Sequence, residues 1–224
     1  MEIKICGITK TYEIDKLIEL GVEYAGFITN FPKSRRNNTF HETKQLINYL
    51  NSKSQATKSV VVVVSPTLED INKINEIEAD LVQIHGNIDF EVIKNSNKKV
   101  IAAINISDEQ KAIEELKALL ENEKRWRSSQ DELIYGILFD GKIPGEGKTF
   151  NWQILGKLDD NIKQSYIKKK FILAGGLNTQ NVKEGMEAFN PDIVDCSSGV
   201  EYDDKKILGK DLEKIEKFVD EVRR

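Results

Sequence analysis

The sequence has little cysteine, histidine and proline, and it contains no long apolar run. Its 224 residues include two cysteines, two histidines and four prolines. Two cysteines are too few for a disulfide framework, and with two histidines we expect neither a cluster of metal ligands nor a metal. No segment approaches the roughly 18 apolar residues of a membrane span, and no basic n-region precedes an apolar h-region at the start. These absences predict a cytoplasmic protein with no membrane partner.

An excess of charge of either sign is also missing. Lysine and arginine (33) nearly balance aspartate and glutamate (37), which leaves a net charge of −4. No basic face follows from such a balance, so nucleic acid is not an expected partner. The hydrophobic share of 39% and the charged share of 31% are typical of a globular protein. The length suits one large domain that covers residues 1–224.

Short apolar segments alternate along the chain with longer amphipathic ones. Strands are predicted over residues 3–6, 24–28, 60–64, 81–84, 100–106, 135–139, 171–174 and 193–196. Several are apolar almost throughout, as expected for parallel strands that are covered on both faces. With helical periodicity between them, the pattern predicts an α/β fold, a closed (β/α)8 TIM barrel, and an open doubly wound sheet is the alternative. Ser107 is predicted to cap the fifth helix, and Asn178 the seventh.

Reactive residue types lie where the predicted strands end, which is the catalytic rim of a barrel of this kind. Cys6 has two interpretations, because a free cysteine is often buried packing, whereas a thiolate at the rim is a competent base. Asp140 ends an apolar strand, where partial burial would raise its pKa and suit it to act as a general acid. The alternative for Asp140 is an N-cap of the next loop. Cys196, inside its strand, is predicted to be core, and Asp195 is a competing carboxylate.

The loops after the last two strands predict a phosphate site. Gly175 and Gly176 follow the seventh strand, and Ser198 and Gly199 follow the eighth. Glycine allows close approach of backbone N–H groups to a phosphate, and serine can add a donor. The alternative is that both are tight turns into helices.

Three further side chains are candidates for substrate binding. Arg36 follows the second strand and offers a planar fork suited to a carboxylate, whereas Arg35 and Lys33 are predicted to face solvent. Gln83 and His85 end the fourth strand, where His85 is either a polar core residue or a donor at the rim.

Several blocks together resemble one family. The blocks are KICGIT (residues 4–9), PKSRR (32–36), VQIHG (82–86), LAGGLN (173–178) and DCSSGVE (195–201). In this order they are similar to phosphoribosylanthranilate isomerase of tryptophan biosynthesis, from the first strand to the last. The chain departs from the family after Glu201, where a usual proline is missing, and its loop after Asp140 is short.

The resemblance implies an Amadori rearrangement of N-(5-phosphoribosyl)anthranilate to 1-(2-carboxyphenylamino)-1-deoxyribulose 5-phosphate. It implies that Asp140 is the general acid, that Cys6 is the general base and that Arg36 holds the anthranilate end. It also implies a phosphorylated small molecule as the substrate, no cofactor, and a monomer or homodimer.

Two rival hypotheses remain. The histidine-pathway isomerase performs the same rearrangement on a related barrel, but that family resembles a design with an aspartate where Cys6 stands. A non-catalytic phosphate-binding barrel would bind product analogues without turning substrate over.

Overall fold

A computed structural model of the chain describes residues 1–106, 109–126, 133–141, 152 and 169–224. The strands are β1 (Glu2–Cys6), β2 (Tyr24–Ile28), β3 (Lys58–Val64), β4 (Leu81–His85), β5 (Lys99–Ile106), β6 (Ile134–Gly141), β7 (Lys170–Leu173) and β8 (Ile193–Cys196). The helices of the described residues are α1 (Thr11–Glu19), α2 (Phe40–Lys53), α3 (Leu68–Asn75), α4 (Phe90–Ile93), α5 (Glu109–Trp126), α6 (Val182–Phe189) and α7 (Leu212–Arg223), with a short 3₁₀ helix at Ser198–Val200.

The strands form a closed barrel in the order β1 to β8. Each strand pairs in parallel with the next, and β8 pairs with β1, where Lys4 lies opposite Asp195. The predicted closed barrel is therefore confirmed, and the open doubly wound sheet is wrong. Closure places the carboxyl ends of all eight strands around one rim, which brings residues from distant parts of the sequence together.

The apolar side chains form two layers because alternate residues of a strand point to opposite faces. An inner cluster fills the barrel and includes Val60, Val62, Leu81, Ile101 and Leu138. A larger outer cluster packs the other strand face against the helices. Strand β3 contains an unbroken run of valines because it is buried on both faces along most of its length.

Helix starts follow local capping chemistry. Thr39 and Thr67 cap α2 and α3, each accepting a hydrogen bond from a backbone N–H inside the first turn. The predicted cap at Asn178 is wrong, because α6 begins at Val182 with Asn181 at the N-cap position. The Asn178 side chain instead accepts a bond from the Gln180 N–H, which closes a turn ahead of the helix.

Some predictions lie outside the described residues: the cap at Ser107, the loop over residues 142–150 and the helix predicted between β6 and β7. Within the part of the chain that the structure describes, no helix combines the length and the apolar character that crossing a membrane requires.

Candidate active site

A cavity of about 660 Å³ opens at the carboxyl ends of the strands. Its volume lies in the range of pockets that enclose a small organic ligand. Eight of the nine residues predicted for the site line it, namely Cys6, Arg36, Gln83, His85, Asp140, Gly175, Gly176 and Ser198. Apolar side chains such as Ile28, Phe31, Val62 and Val64 complete one wall. The cavity therefore combines an apolar surface with a few polar groups that converge from different strands.

Cys6 ends β1 and is 6% exposed. Its carbonyl oxygen accepts a hydrogen bond of 2.9 Å from the Ser197 hydroxyl, which ties β1 to the loop after β8. Burial raises the pKa of the Cys6 thiol, and the positive charge of Lys4 opposes this rise. The thiol is accessible to the cavity but held in a fixed place, as a base that acts on one particular atom must be.

A buried ion pair lies inside the barrel next to Cys6. The Lys4 ammonium is fully buried and donates a 2.8 Å bond to Oδ2 of Asp195. Burial lowers the pKa of Lys4, but the neighbouring Asp195 and Cys6 more than offset this and raise it above its usual value. Lys4 is thus a permanent cation on the inner face of β1, two residues before the thiol.

Asp140 lies in β6 and is 8% exposed. Its Oδ1 accepts a 2.7 Å bond from the N–H of Gly141. Burial raises the pKa of Asp140 to about 6, with a further rise from the negative charge of Asp195. This carboxyl group can therefore carry a proton close to neutral pH, as a general acid requires.

His85 and Gln83 form a hydrogen-bonded pair on β4. The two side chains are joined by a 2.7 Å contact between Nε2 of Gln83 and Nε2 of His85. Because an amide nitrogen can only donate, the imidazole accepts and is neutral. Burial, followed by the charge of Lys4, lowers the pKa of His85 to about 4. Among the described residues, neither Nδ1 of His85 nor Oε1 of Gln83 has a hydrogen-bond partner.

Arg36 reaches the cavity from the segment between β2 and α2, and its Nε bonds Glu201. The Lys210 ammonium, fully buried, lies 3.5 Å from the same Glu201 carboxylate. Burial raises the pKa of Glu201, but Arg36 and Lys210 more than compensate and hold it below its ordinary value. Gly7 makes room for this arrangement, because a Cβ there would lie 2.6 Å from Cδ of Arg36.

The loop after β7 presents backbone to the cavity. Gly175 and Gly176 have φ angles of 85° and 70°, a left-handed conformation that favours glycine. Ser198 begins the 3₁₀ helix and also lines the cavity. Gly199 is not among the described residues that line it. A Cβ at Gly199 would overlap the Leu177 carbonyl, so this glycine allows close packing of the two loops.

Several residues of the site escaped the sequence analysis. Asn105 of β5, which lines the cavity, was not predicted, and neither were the buried Lys4 and Lys210 beside it. Asp195, which also lines the cavity, entered only as a competing carboxylate. Lys4 had one available signal: it alternates with Cys6 along β1 and is flanked by isoleucines, so it points into the barrel. Cys196 is core as predicted, since it is fully buried and its thiol donates to the Leu177 carbonyl.

The described residues contain no group of three or more histidine, cysteine, aspartate or glutamate side chains that could hold a metal ion.

The sequence matches a family model described as N-(5'phosphoribosyl)anthranilate (PRA) isomerase over residues 3–221. It is similar to the N-(5'-phosphoribosyl)anthranilate isomerase of Streptococcus mutans, with 34% identity over 100% of this chain and 99% of that protein. The enzyme of the same name from Aquifex aeolicus is 35% identical over 98% of this chain and 97% of that protein.

Solved structures of proteins with the same name share the fold of this chain. Phosphoribosyl anthranilate isomerase from Thermotoga maritima superposes with a TM-score of 0.76 at 25% identity, covering 100% of this chain and 98% of that one. Another phosphoribosyl anthranilate isomerase, solved in complex with reduced 1-(o-carboxyphenylamino)-1-deoxyribulose 5-phosphate, gives a TM-score of 0.74 at 24% identity and the same coverage.

Proposed function

Since the chain belongs to the N-(5'-phosphoribosyl)anthranilate isomerase family, we propose that Cys6 and Asp140 are the base and the acid of its reaction. The protein is an isomerase of tryptophan biosynthesis. It converts N-(5'-phosphoribosyl)anthranilate, an aminoaldose, into 1-(2-carboxyphenylamino)-1-deoxyribulose 5-phosphate, an aminoketose. This rearrangement needs one proton donor and one proton acceptor near a single pentose.

Asp140 protonates the furanose ring oxygen in this proposal, and the C1–O bond breaks. The electron pair of the substrate nitrogen forms the C1=N bond, which gives a protonated imine. That cation acidifies the C2–H bond, and the Cys6 thiolate removes the C2 proton to leave an enolamine, which tautomerises to the ketose. The substrate supplies its own electron sink, so the chain has to supply only the two proton-transfer groups and their positions.

The remaining residues of the cavity bind the two ends of the substrate in this proposal. The N–H groups of the loop at Gly175 and Gly176, with Ser198, bind the phosphate. Arg36 uses Nε for Glu201, and its two terminal nitrogens bind the anthranilate carboxylate as a fork. Gln83 and His85, which line the same cavity, bind the sugar.

One observation carries the proposal: a buried thiol and a carboxyl group with a pKa of about 6 share one cavity with a glycine loop suited to an anion. The two side chains come from β1 and β6, which are not paired with each other, and closure of the barrel is what brings them to one cavity.

The test compares pairs of variants that carry the same chemical change at different places. Phosphoribosylanthranilate is generated in situ, and the decay of its fluorescence is followed with and without the protein. Cys6→Ser and Asp140→Asn should each lose about 10²–10⁴-fold in turnover, since general acid–base groups contribute about this much. Cys196→Ser changes a buried thiol that points to the Leu177 carbonyl, and it should retain turnover. Asp192→Asn changes a carboxylate beside the start of β8, at the opposite barrel end, with the same expected result.

The assignment is wrong if Cys6→Ser turns substrate over as fast as Cys196→Ser does. Retained activity in Asp140→Asn would exclude the acid in the same way. Far-ultraviolet circular dichroism of all four variants checks that any loss of turnover does not come from unfolding.

We also propose that the protein is cytoplasmic and is a monomer or a homodimer. A structural relative is described as the monomeric form of a dimeric isomerase from Thermotoga maritima, which supports either state. Light scattering coupled to size exclusion separates the two states, and a mass of four or more subunits would contradict both.

A further inference from the structure

The barrel contains a buried cation that the acid–base scheme does not use. Lys4 has no exposed surface, and its ammonium lies among the side chains that fill the barrel below the cavity. A buried ion pair is weak evidence for a stabilising role, since two well-packed apolar side chains often serve as well. The partnership of Lys4 with Asp195 therefore leaves open why a charge is placed at this position.

Gly26 on β2 shows how close the cation lies to the thiol. A Cβ built on Gly26 would lie 3.0 Å from Sγ of Cys6 and 3.1 Å from Nζ of Lys4. Both atoms thus border the same small space, which a glycine keeps open. The register supports this, because Cys6 pairs directly with Gly26 and Lys4 precedes Cys6 on the same strand face.

Four charged groups of the described residues act on the Cys6 thiol, and they come from separate segments. After burial, the largest influence on the pKa of Cys6 is the lowering by Lys4, and the opposing effect of Asp195 on β8 is smaller. Lys210 and Arg36 also lower it, each by less than Lys4. Arg36 and Lys210 both contact the carboxylate of Glu201. Lys4 is therefore the main cation that favours ionisation of the thiol.

We propose that Lys4, held in place by Asp195, is a positioning residue that stabilises the thiolate of Cys6 and thereby makes it a usable base. The inference rests on the role proposed above for Cys6. Asp195 sets the strength of the effect, because it both anchors the ammonium and carries the charge that opposes the thiolate. The ion pair is thus a tuning device, and its two members have opposite effects on the thiol.

The test measures ionisation of the thiol without turnover. Iodoacetamide alkylates the thiolate, so its rate of reaction with Cys6, followed by peptide mass spectrometry as a function of pH, reports the thiolate fraction. Lys4→Met should lower the rate near neutral pH at least about tenfold and move the profile to higher pH. Asp195→Asn should raise the rate, because it removes the negative charge and leaves the ammonium in place.

The two variants should change the alkylation rate of Cys6 in opposite directions. Structural damage would instead change the rate in the same direction in both. Should Lys4→Met fail to fold, Lys4→Met/Asp195→Asn removes both charges together and avoids a lone buried carboxylate. This double variant should still react more slowly than the wild type, because the influence of Lys4 on the thiol exceeds that of Asp195.

Two controls belong to the experiment. Lys169→Met removes another buried lysine, whose ammonium donates to the Ile134 carbonyl at the start of β6, and it should leave the reaction of Cys6 unchanged. Cys196 is fully buried, so rapid labelling of Cys196 in any variant reports unfolding instead.

The profile of kcat/KM against pH gives a second readout. The ratio of wild-type to Lys4→Met kcat/KM should fall toward one at alkaline pH, where the thiol ionises without help. The inference is overturned if Lys4→Met labels at the wild-type rate, or if Asp195→Asn slows labelling as much as Lys4→Met does. These results are independent of turnover, whereas full activity in Cys6→Ser would refute the proposed base itself.

Discussion

Asp140→Asn should make the protein more stable near neutral pH while removing its activity. The carboxyl group of Asp140 has a pKa of about 6 in the folded state, against 3.8 as the reference value. A group with a raised pKa in the folded state stabilises the fold below its unfolded pKa, and this contribution is lost as pH rises through the folded pKa. Above about pH 6 the folded protein therefore bears the cost of a buried carboxylate.

The magnitude follows from the shift. One pKa unit corresponds to about 1.4 kcal/mol, so the full difference amounts to about 3 kcal/mol. An asparagine of nearly the same shape keeps an oxygen that can accept from the Gly141 N–H. It removes the charge, and with it the penalty. For a chain of this length, about 3 kcal/mol corresponds to a rise in Tm of roughly 6–12 °C.

Differential scanning calorimetry of the wild type and Asp140→Asn over about pH 4–8 measures this gain. The difference in Tm should be small near pH 4, where the wild-type carboxyl group is protonated in the folded state, and should grow to a plateau above about pH 6. Asp192→Asn, in which an exposed carboxylate that accepts from the Phe171 N–H is neutralised, should show no such gain. An Asp140→Asn protein that melts at or below the wild-type Tm throughout would refute the reasoning.

Three further predictions concern pH and the geometry of the cavity. The profile of kcat/KM against pH should be bell-shaped, because only enzyme with a protonated acid and an ionised base is active. One limb should lie near pH 6, from the proposed acid, and the other at the higher pKa of the proposed base. A flat profile across pH 5–8 would contradict this. Gly7→Ala should raise KM about tenfold or more, since the new Cβ would displace Arg36. Gly21→Ala, at another left-handed glycine whose added Cβ would meet only the Arg223 guanidinium at 3.9 Å, should strain the backbone without changing KM. Equal KM values in the two variants, measured by steady-state kinetics, would refute this prediction. The pKa of His85 is lowered to about 4, so the free energy of unfolding should fall by up to about 3 kcal/mol as pH drops from about 6.5 to 4. In urea unfolding, His85→Gln should lose less stability than the wild type over this range. The same dependence of the free energy of unfolding on pH in both proteins would count against this prediction.

The alternation of short apolar segments with longer amphipathic ones was sufficient to predict the barrel. Each predicted strand overlaps an observed one, and those over residues 24–28 and 193–196 have the observed bounds. Strand type is encoded locally, because both faces of a parallel strand are buried and the composition of a few residues shows it. The same local pattern identified where strands end, and Cys6, Asp140 and the Gly175–Gly176 pair were found at those ends.

Helix boundaries were harder to predict, as α6 shows. Asn178 and Asn181 are both residues that can cap a helix, and their spacing does not say which one does. In the structure the Asn181 side chain accepts from the Asn178 N–H and donates to the Gly176 carbonyl, so the glycine turn after β7 decides where the helix starts.

Local sequence therefore determined the number of strands, their order and the reactive residues at their ends, because each depends on a few neighbouring side chains. Which charged side chains pair inside the barrel was decided only by the tertiary structure. Lys4 and Asp195 are 191 positions apart and meet because β8 closes against β1. The ionisation of Cys6 and Asp140 depends on burial and on nearby charges. Apart from Lys4, which lies on the same strand as Cys6, these charges come from other segments and reach the two groups only once the barrel has closed.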